Sequence, residues 1–169
     1  MSEQVEKFIR VDHAGEYGAA QIYAGQLAVL GRGPHAAELR HMQAQEQVHL
    51  ECFSNLIHER RVRPTVLLPV WRVAGFALGA ITAALGPRSA MACTVAIEET
   101  INDHYAAQEA ALGGEETALK DTISRFRANE LEHRDTALAN GAEQAAGYRL
   151  MTEVIKAGCK AAIRISEIV

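Results

Sequence analysis

The sequence contains three Glu-x-x-His pairs, which are the residues whose types and spacing most directly suggest metal chemistry. On an α-helix, residues three apart lie about 60° apart around the axis and about 4.5 Å apart along it. A carboxylate and an imidazole at that spacing can bind one ion, but they can also simply face water. The pairs are Glu38 and His41, Glu46 and His49, and Glu130 and His133.

The position of each pair within a helical hairpin separates these interpretations, because residues equally far from the turn lie at the same height. The first turn is centred between residues 32 and 33. Glu46 and His49 are level with Glu16, so three ligands converge there. The other pair in this hairpin is level with residues 24–27, which contain no carboxylate. We therefore predict that Glu46 and His49 belong to a metal site and that Glu38 and His41 lie on a solvated face.

The second hairpin repeats this arrangement. Its turn is centred near Gly113 and Gly114, and Glu98 lies level with Glu130 and His133. The lone glutamate precedes its Glu-x-x-His by 30 residues in the first hairpin and by 32 in the second, which indicates an internal duplication. This is the ligand set of ferritin-like bundles that hold two iron or manganese ions, and its oxygen and imidazole donors favour iron. The predicted ligands are Glu16, Glu46, His49, Glu98, Glu130 and His133.

Glycine and proline residues divide the chain into six predicted helices. No segment shows the sustained alternation of a half-buried strand. We therefore predict an all-α, ferritin-like four-helix bundle with two additional helices, which forms one domain over residues 1–169 with a di-iron site in its core. The predicted helices are residues 3–30, 34–61, 70–86, 87–112, 115–140 and 142–169, with residues 62–69 as an extended connection.

Composition restricts the remaining function classes. The net charge of −4 provides no basic surface, so no nucleic-acid partner is expected. The three cysteines are far apart and form no Cys-x-x-Cys, so neither a disulfide framework nor a thiolate metal site is predicted. This pattern fits a reducing compartment. The first 13 residues lack the apolar core of a signal peptide, so we expect that such a segment either does not exist or has been removed.

A long apolar segment occupies residues 66–86. Arg72 is its only charged residue, and Gly75 and Gly79 form a Gly-x-x-x-Gly pattern that allows close helix packing. Two interpretations are open, a membrane-spanning helix and a helix buried against the bundle, a partner subunit or the membrane surface. Pro69 shortens the helix and Arg72 is poorly placed for a span, so the second interpretation is favoured.

The last predicted helix has a basic side and an apolar side. Such helices lie on anionic membranes, but an ordinary amphipathic helix with a solvated basic face has the same pattern. This segment alone does not separate the two. The basic stripe is Lys156, Lys160 and Arg164, and the apolar side is Leu150, Met151, Val154, Ile155, Cys159 and Ile163.

Several long motifs resemble the demethoxyubiquinone hydroxylase family of ubiquinone biosynthesis, from about Ile9 to the C-terminus. They are RVDHAGEYGA, IYAGQ, RVRPTVLLPVWRVAGFALGA, AMACTVAIEE, ELEH and IKAGCKAAI. The resemblance implies a carboxylate-bridged di-iron monooxygenase that converts demethoxyubiquinone to demethylubiquinone with dioxygen and electrons from NADH. The matched positions imply the same six iron ligands that the hairpin heights select.

The resemblance also implies where the protein works and with what. The polyprenyl quinone substrate lies in a bilayer, so we expect a peripheral protein on the bacterial cytoplasmic membrane or on the matrix face of the mitochondrial inner membrane. The apolar segment and the last helix would together face the lipid. A lipid-binding companion protein of ubiquinone biosynthesis and a homo-oligomer are further expected partners.

Other residues near the predicted site have candidate roles. His104 and Tyr105 are expected to gate substrate or to carry protons or electrons. His13 is a candidate neighbour of the metal site, and Asp12, Asp103 and Asp135 are candidate acceptors for the second N–H of a metal-bound histidine. These side chains cannot be placed by spacing alone.

Two other classes of protein compete with the hydroxylase. A ferritin-like iron store would share the six ligands, although the apolar segment argues against a fully soluble shell. A non-catalytic helical membrane adaptor would explain that segment but would leave the six aligned ligands without a purpose.

Overall fold

The computed structural model describes residues 2–169, and its regular structure is helical. No strand occurs among these residues, which confirms the all-α prediction. Two short 3₁₀ helices, Gly114–Glu116 and Ala142–Gln144, precede the last two α-helices. The α-helices are α1 (Glu3–Leu30), α2 (Ala36–Glu59), α3 (Leu68–Ala84), α4 (Pro87–Ala111), α5 (Thr117–Ala139) and α6 (Tyr148–Ser166).

Some helices begin at other residues than predicted. Helix α2 begins at Ala36 rather than at residue 34. Helix α3 begins at Leu68, because Pro69 occupies its first turn, where a backbone N–H has no helical partner to lose. The prediction that α6 begins at residue 142 is wrong. A 3₁₀ turn stands there, and Gly147, in the left-handed region with φ of 69°, is the N-cap before Tyr148.

Helices α1, α2, α4 and α5 form the four-helix core. Sequential neighbours pack as the hairpins α1–α2 and α4–α5, while α3 packs along α1 and α6 packs along α4. This confirms the predicted core with two additional helices. None of the helices within residues 2–169 combines the length and the apolar character needed to cross a membrane.

The backbones of α1 and α3 are in direct contact through glycines. A Cβ added to Gly75 would lie 2.8 Å from the carbonyl oxygen of Gly18, and one added to Gly79 would overlap the carbonyl oxygen of Ile22. The Gly-x-x-x-Gly pattern of α3 is therefore used within the chain. The opposite side of α3 stays outside, where Val73 is 70% exposed.

Apolar side chains separate the middle of the bundle from its ends. On α2, Glu46 and His49 stand between Met42 of one buried apolar cluster and Phe53 of the other. The other three core helices also contribute to both clusters. Polar residues at the centre are therefore shielded from water on two sides.

Candidate metal centre

The structure brings all six predicted ligands together in the core. Each side chain belongs to a residue that is at most 1% exposed. Helices α1 and α4 each supply one glutamate, and α2 and α5 each supply Glu-x-x-His. The residues are Glu16, Glu46, His49, Glu98, Glu130 and His133.

Their ligand atoms form two overlapping groups, each within 4.8 Å. Nδ1 of His49 lies 3.4 Å from Glu16 and 3.2 Å from Glu130. Nδ1 of His133 lies 3.1 Å from Glu46 and 3.6 Å from Glu98. Glu46 and Glu130 belong to both groups, whereas Glu16 and Glu98 each belong to one. The geometry therefore distinguishes two shared carboxylates from two terminal ones.

Four carboxyl groups share this buried cluster with only two imidazoles. Both carboxylate oxygens of Glu46 and of Glu130 are buried without a hydrogen-bond partner among residues 2–169. Burial and neighbouring carboxylates raise the pKa of Glu46 and of Glu130 well above the usual range. Burial alone would lower the pKa of His133, but the close carboxylates of Glu130, Glu46 and Glu98 raise it to about 12. Buried carboxylates at this density are stabilised by bound cations.

The outward nitrogens of the two histidines contact amide side chains. Nε2 of His49 lies 3.2 Å from Oδ1 of Asn129, and Nε2 of His133 lies 2.7 Å from Oε1 of Gln45. In the tautomer protonated at Nε2, each histidine donates to its amide and presents Nδ1 to the cluster. None of the aspartates suggested as acceptors serves here. The signal in the sequence is an amide residue directly before Glu46 and before Glu130, whereas an alanine precedes Glu38.

Two tyrosines contact the terminal glutamates crosswise. The hydroxyl of Tyr105 on α4 donates to Oε1 of Glu16 on α1. The hydroxyl of Tyr23 on α1 donates to Oε1 of Glu98 on α4, at 2.5 Å. Each tyrosine follows the glutamate of its own helix by seven residues, so the duplication extends to both. Tyr105 was predicted from the sequence and Tyr23 was not, although the repeated Glu-x₆-Tyr spacing is the signal that identifies it.

The remaining candidates lie outside the cluster. The Glu38 and His41 pair belongs to neither ligand group, as predicted, and Glu132 is exposed. Asp103 and Asp135 are exposed as well. His13 is buried, and its Nδ1 contacts no polar partner within residues 2–169.

Asp12 and His104 belong to a separate polar group. Nε2 of Gln108 donates to Oδ1 of Asp12 at 2.7 Å and lies 2.8 Å from Nε2 of His104. Gln108 stands one turn after His104 on α4, and it was not among the candidates of the sequence analysis. Asp12 is one turn before Glu16 on α1.

An apolar cavity of about 410 Å³ lies between α1, α3, α4 and α6. Its wall includes Glu16 and Tyr105, which are buried, and Val154, which is 63% exposed. The cavity therefore extends from the protein surface to the cluster of glutamates and histidines. Trp71 also lines it and donates Nε1–H to the hydroxyl of Ser166 at 3.2 Å, which joins α3 to α6.

A four-helix core with one glutamate from each of two helices, and Glu-x-x-His from each of the other two, defines the ferritin-like class of dinuclear metal proteins. A model of the family described as "Ubiquinone biosynthesis protein COQ7" matches residues 3–166. The chain belongs to this family, which confirms the resemblance drawn from its motifs.

Individual relatives are similar over nearly the whole chain. The 3-demethoxyubiquinol 3-hydroxylase of Rhodospirillum rubrum is 57% identical over 164 residues, which cover 96% of this chain and 77% of the relative. The NADPH-dependent 3-demethoxyubiquinone 3-hydroxylase of Mus musculus is 54% identical over 167 residues, with the same coverage of 96% and 77%. The 5-demethoxyubiquinone hydroxylase of Saccharomyces cerevisiae is 43% identical over 180 residues, again covering 96% and 77%.

Proposed function

We propose that this chain is a di-iron monooxygenase that hydroxylates the quinone ring of demethoxyubiquinone in ubiquinone biosynthesis. The observation that carries the proposal is the apolar cavity, which extends from the surface to Glu16 and Tyr105 beside two overlapping ligand sets. A quinone on a polyprenyl tail is an apolar ligand that suits such a cavity. The relatives from Rhodospirillum rubrum, Mus musculus and Saccharomyces cerevisiae are all named as demethoxyubiquinol or demethoxyubiquinone hydroxylases.

The six clustered residues fit two iron ions, because their inward oxygens and Nδ1 atoms are buried donors that lack partners of their own. When bound, the iron pair would supply the activation of dioxygen. One oxygen atom of dioxygen is inserted into a ring C–H bond and becomes a hydroxyl group. The other is reduced by two electrons, takes up two protons and leaves as water. Glu46 and Glu130 would contact both ions, and Glu16 and Glu98 one each.

The protein's own side chains would orient the ligands and exclude water. Tyr105 and Tyr23 donate hydrogen bonds to the two terminal glutamates and hold those carboxylates in place. Phe126 stacks on the ring of His49 at a centroid distance of 4.0 Å and covers that ligand. We assign Tyr105 and His104 to substrate gating or to proton or electron transfer, since both line the cavity.

The electrons come, in this proposal, from a reduced nicotinamide nucleotide. The family resemblance implied NADH, whereas the Mus musculus relative is named NADPH-dependent. The sequence contains no Gly-x-Gly-x-x-Gly, so the electrons would arrive through the quinone itself or from a partner.

We also propose that the protein lies on a membrane surface, with α3 and α6 toward the lipid. Val73 on α3 and Val154 on α6 are 70% and 63% exposed, and both helices border the cavity that the quinone would enter. Lys160 and Arg164 on α6 are also exposed and would contact anionic headgroups. The proposed location is the bacterial cytoplasmic membrane or the mitochondrial inner membrane.

Liposome flotation tests this orientation. The double variant Val73→Asp and Phe76→Asp should lose most binding to anionic vesicles, because both side chains are exposed on α3. Val48→Asp is the control, since Val48 is 59% exposed on α2. Undiminished binding of the folded double variant would contradict the proposal. In that case, a second copy of the chain or a lipid-binding companion would cover the exposed side of α3.

Iron stoichiometry measured together with turnover tests the enzymatic function. We expect about two irons per chain, from the two ligand groups, and hydroxylation of a demethoxyquinone. Two irons without hydroxylation would favour the iron store. No bound metal, together with undisturbed folding and membrane binding of Glu130→Ala, would favour the adaptor.

A further inference from the structure

Gly15 lies in the middle of α1, where packing does not account for a glycine. Glycine weakens a helix relative to alanine, so its presence there needs a physical reason. At Gly75 and Gly79 that reason is close packing, because a Cβ at either position would collide with a carbonyl oxygen of α1. A Cβ added to Gly15 would meet no atom within 4 Å. Contacts among residues 2–169 therefore do not require glycine at position 15.

The open space beside Gly15 is the apolar cavity. Gly15 is one of the residues that line the cavity, and it is partly exposed. It follows Val11 by four residues and precedes Ile22 by seven, which places all three on one face of α1. Val11 and Ile22 are buried and line the same cavity. A side chain at position 15 would therefore point into the cavity.

Gly15 also marks the inner end of this cavity. Gly18 and Gly158 line the cavity too and are equally open, but neither is next to a residue of the cluster. Gly15 directly precedes Glu16, which belongs to one of the two ligand groups and lines the cavity as well. The exposed end is at Val154. The backbone of α1 is therefore bare where the cavity meets the cluster.

We propose that the quinone ring lies against this bare backbone at Gly15, beside Glu16, while the polyprenyl tail extends towards the exposed end of the cavity. This inference rests on the proposed function and adds a residue that determines which ligands reach the cluster. A flat ring approaches a helix more closely where no Cβ is present. A side chain at position 15 would occupy the place of the ring, whereas a flexible alkyl chain could still pass beside it.

Binding of two matched ligands to the iron-loaded full-length chain, without oxygen, tests this placement. The first is a methoxy-substituted benzoquinone with a decyl tail, and the second is decane, which has the length of the tail and no ring. Trp71 is the only tryptophan of the chain and lines the cavity, so quenching of its fluorescence reports quinone binding. Displacement of the quinone reports decane binding.

The two ligands should respond differently to added methyl groups. Gly15→Ala should weaken quinone binding by about 3-fold and Gly15→Val by about 10- to 100-fold, because the added groups occupy space that the ring needs. Decane binding should be unchanged in both variants. Ala28→Val is the control, because Ala28 is an exposed residue of the same helix outside the cavity wall. It should bind both ligands as the wild type does.

Thermal unfolding without iron or ligand separates this role from a structural one. Gly15→Ala should raise Tm by about 1–4 °C, because alanine is the better helix former and its methyl group meets open space. A glycine that packing requires would show a fall in Tm. A variant that gains stability and loses affinity for the ring therefore identifies position 15 as part of the ligand site.

The outcomes separate this inference from the proposed function. If Gly15→Val weakens the quinone and decane equally, Gly15 only sets the width of the whole cavity and the placement of the ring is wrong. The placement is also wrong if both variants bind the quinone as the wild type does, or if Gly15→Ala lowers Tm. A wild-type chain that binds neither ligand would overturn the proposed function together with this inference.

Discussion

Replacing Glu130 by glutamine should stabilise the metal-free protein and weaken its binding of iron. Both oxygens of Glu130 are buried without a hydrogen-bond partner among residues 2–169, and Glu130 belongs to both ligand groups. Burial and neighbouring carboxylates raise the pKa of Glu130, so a carboxyl at this place is costly to ionise. Glutamine keeps the shape of the side chain, stays neutral and offers an N–H donor to the neighbouring carboxylates. Replacing a residue retained only for packing would not stabilise the metal-free chain and at the same time reduce the gain from iron.

The size of the effect follows from the unpartnered atoms. A buried polar group without a partner costs about 1–3 kcal/mol, and a charged one costs more. We therefore expect Glu130→Gln to raise the free energy of unfolding of the metal-free chain by about 2 kcal/mol. For a chain of this length, that corresponds to a rise in Tm of about 4–8 °C.

The stabilisation that the protein gains from iron should shrink in the variant. Ferrous iron at about 100 times its Kd stabilises the wild type by about 2.7 kcal/mol, and a loss of affinity of about 100-fold reduces this to about 0.4 kcal/mol. Thermal unfolding with a chelator and with ferrous iron, without oxygen, measures both effects. Glu132→Gln is the control, because Glu132 is exposed on the same helix and should change stability by less than about 0.5 kcal/mol. A destabilised metal-free Glu130→Gln, or an undiminished gain with iron, would refute the reasoning.

Three further predictions follow from the packing around the site. Gly79→Ala should lower the free energy of unfolding by about 1–3 kcal/mol, because its Cβ would overlap the backbone of α1, whereas Gly158→Ala should raise it by about 0.5–1 kcal/mol in open space. Equal denaturation midpoints for the two variants would contradict the close contact. Gln45→Leu removes the acceptor of His133 and should weaken iron binding about 10- to 100-fold in a metal titration, while the exposed Gln47→Leu should not. Burial raises the pKa of Cys93 to about 12, so the native chain should resist alkylation of this thiol at pH 8 while the unfolded chain reacts readily. Rapid native alkylation would show that the core around it opens.

The six clustered residues could be selected from the sequence because their placement is a local property of helical hairpins. A rise of about 1.5 Å per residue and a tight turn fix which residues are level, whatever packs around them. Glu16 and Glu98 could therefore be matched to Glu46 and Glu130 by counting. The order of the helices was also predictable, because glycine and proline act locally to end and begin helices. The start of α6 was not, because a 3₁₀ turn precedes it.

The contacts between hairpins needed the tertiary structure. Height along a helix does not tell which carboxylate faces both histidines, because that depends on how the two hairpins are rotated against each other. For this reason the shared roles of Glu46 and Glu130, and the crosswise hydrogen bonds of Tyr23 and Tyr105, appear only after folding. That Oδ2 of Asp12 is buried without a hydrogen-bond partner among residues 2–169 is also visible only in the tertiary structure. The sequence by itself determined which residues meet at one level, and the packing of α3 and α6 decided that a cavity reaches that level from outside.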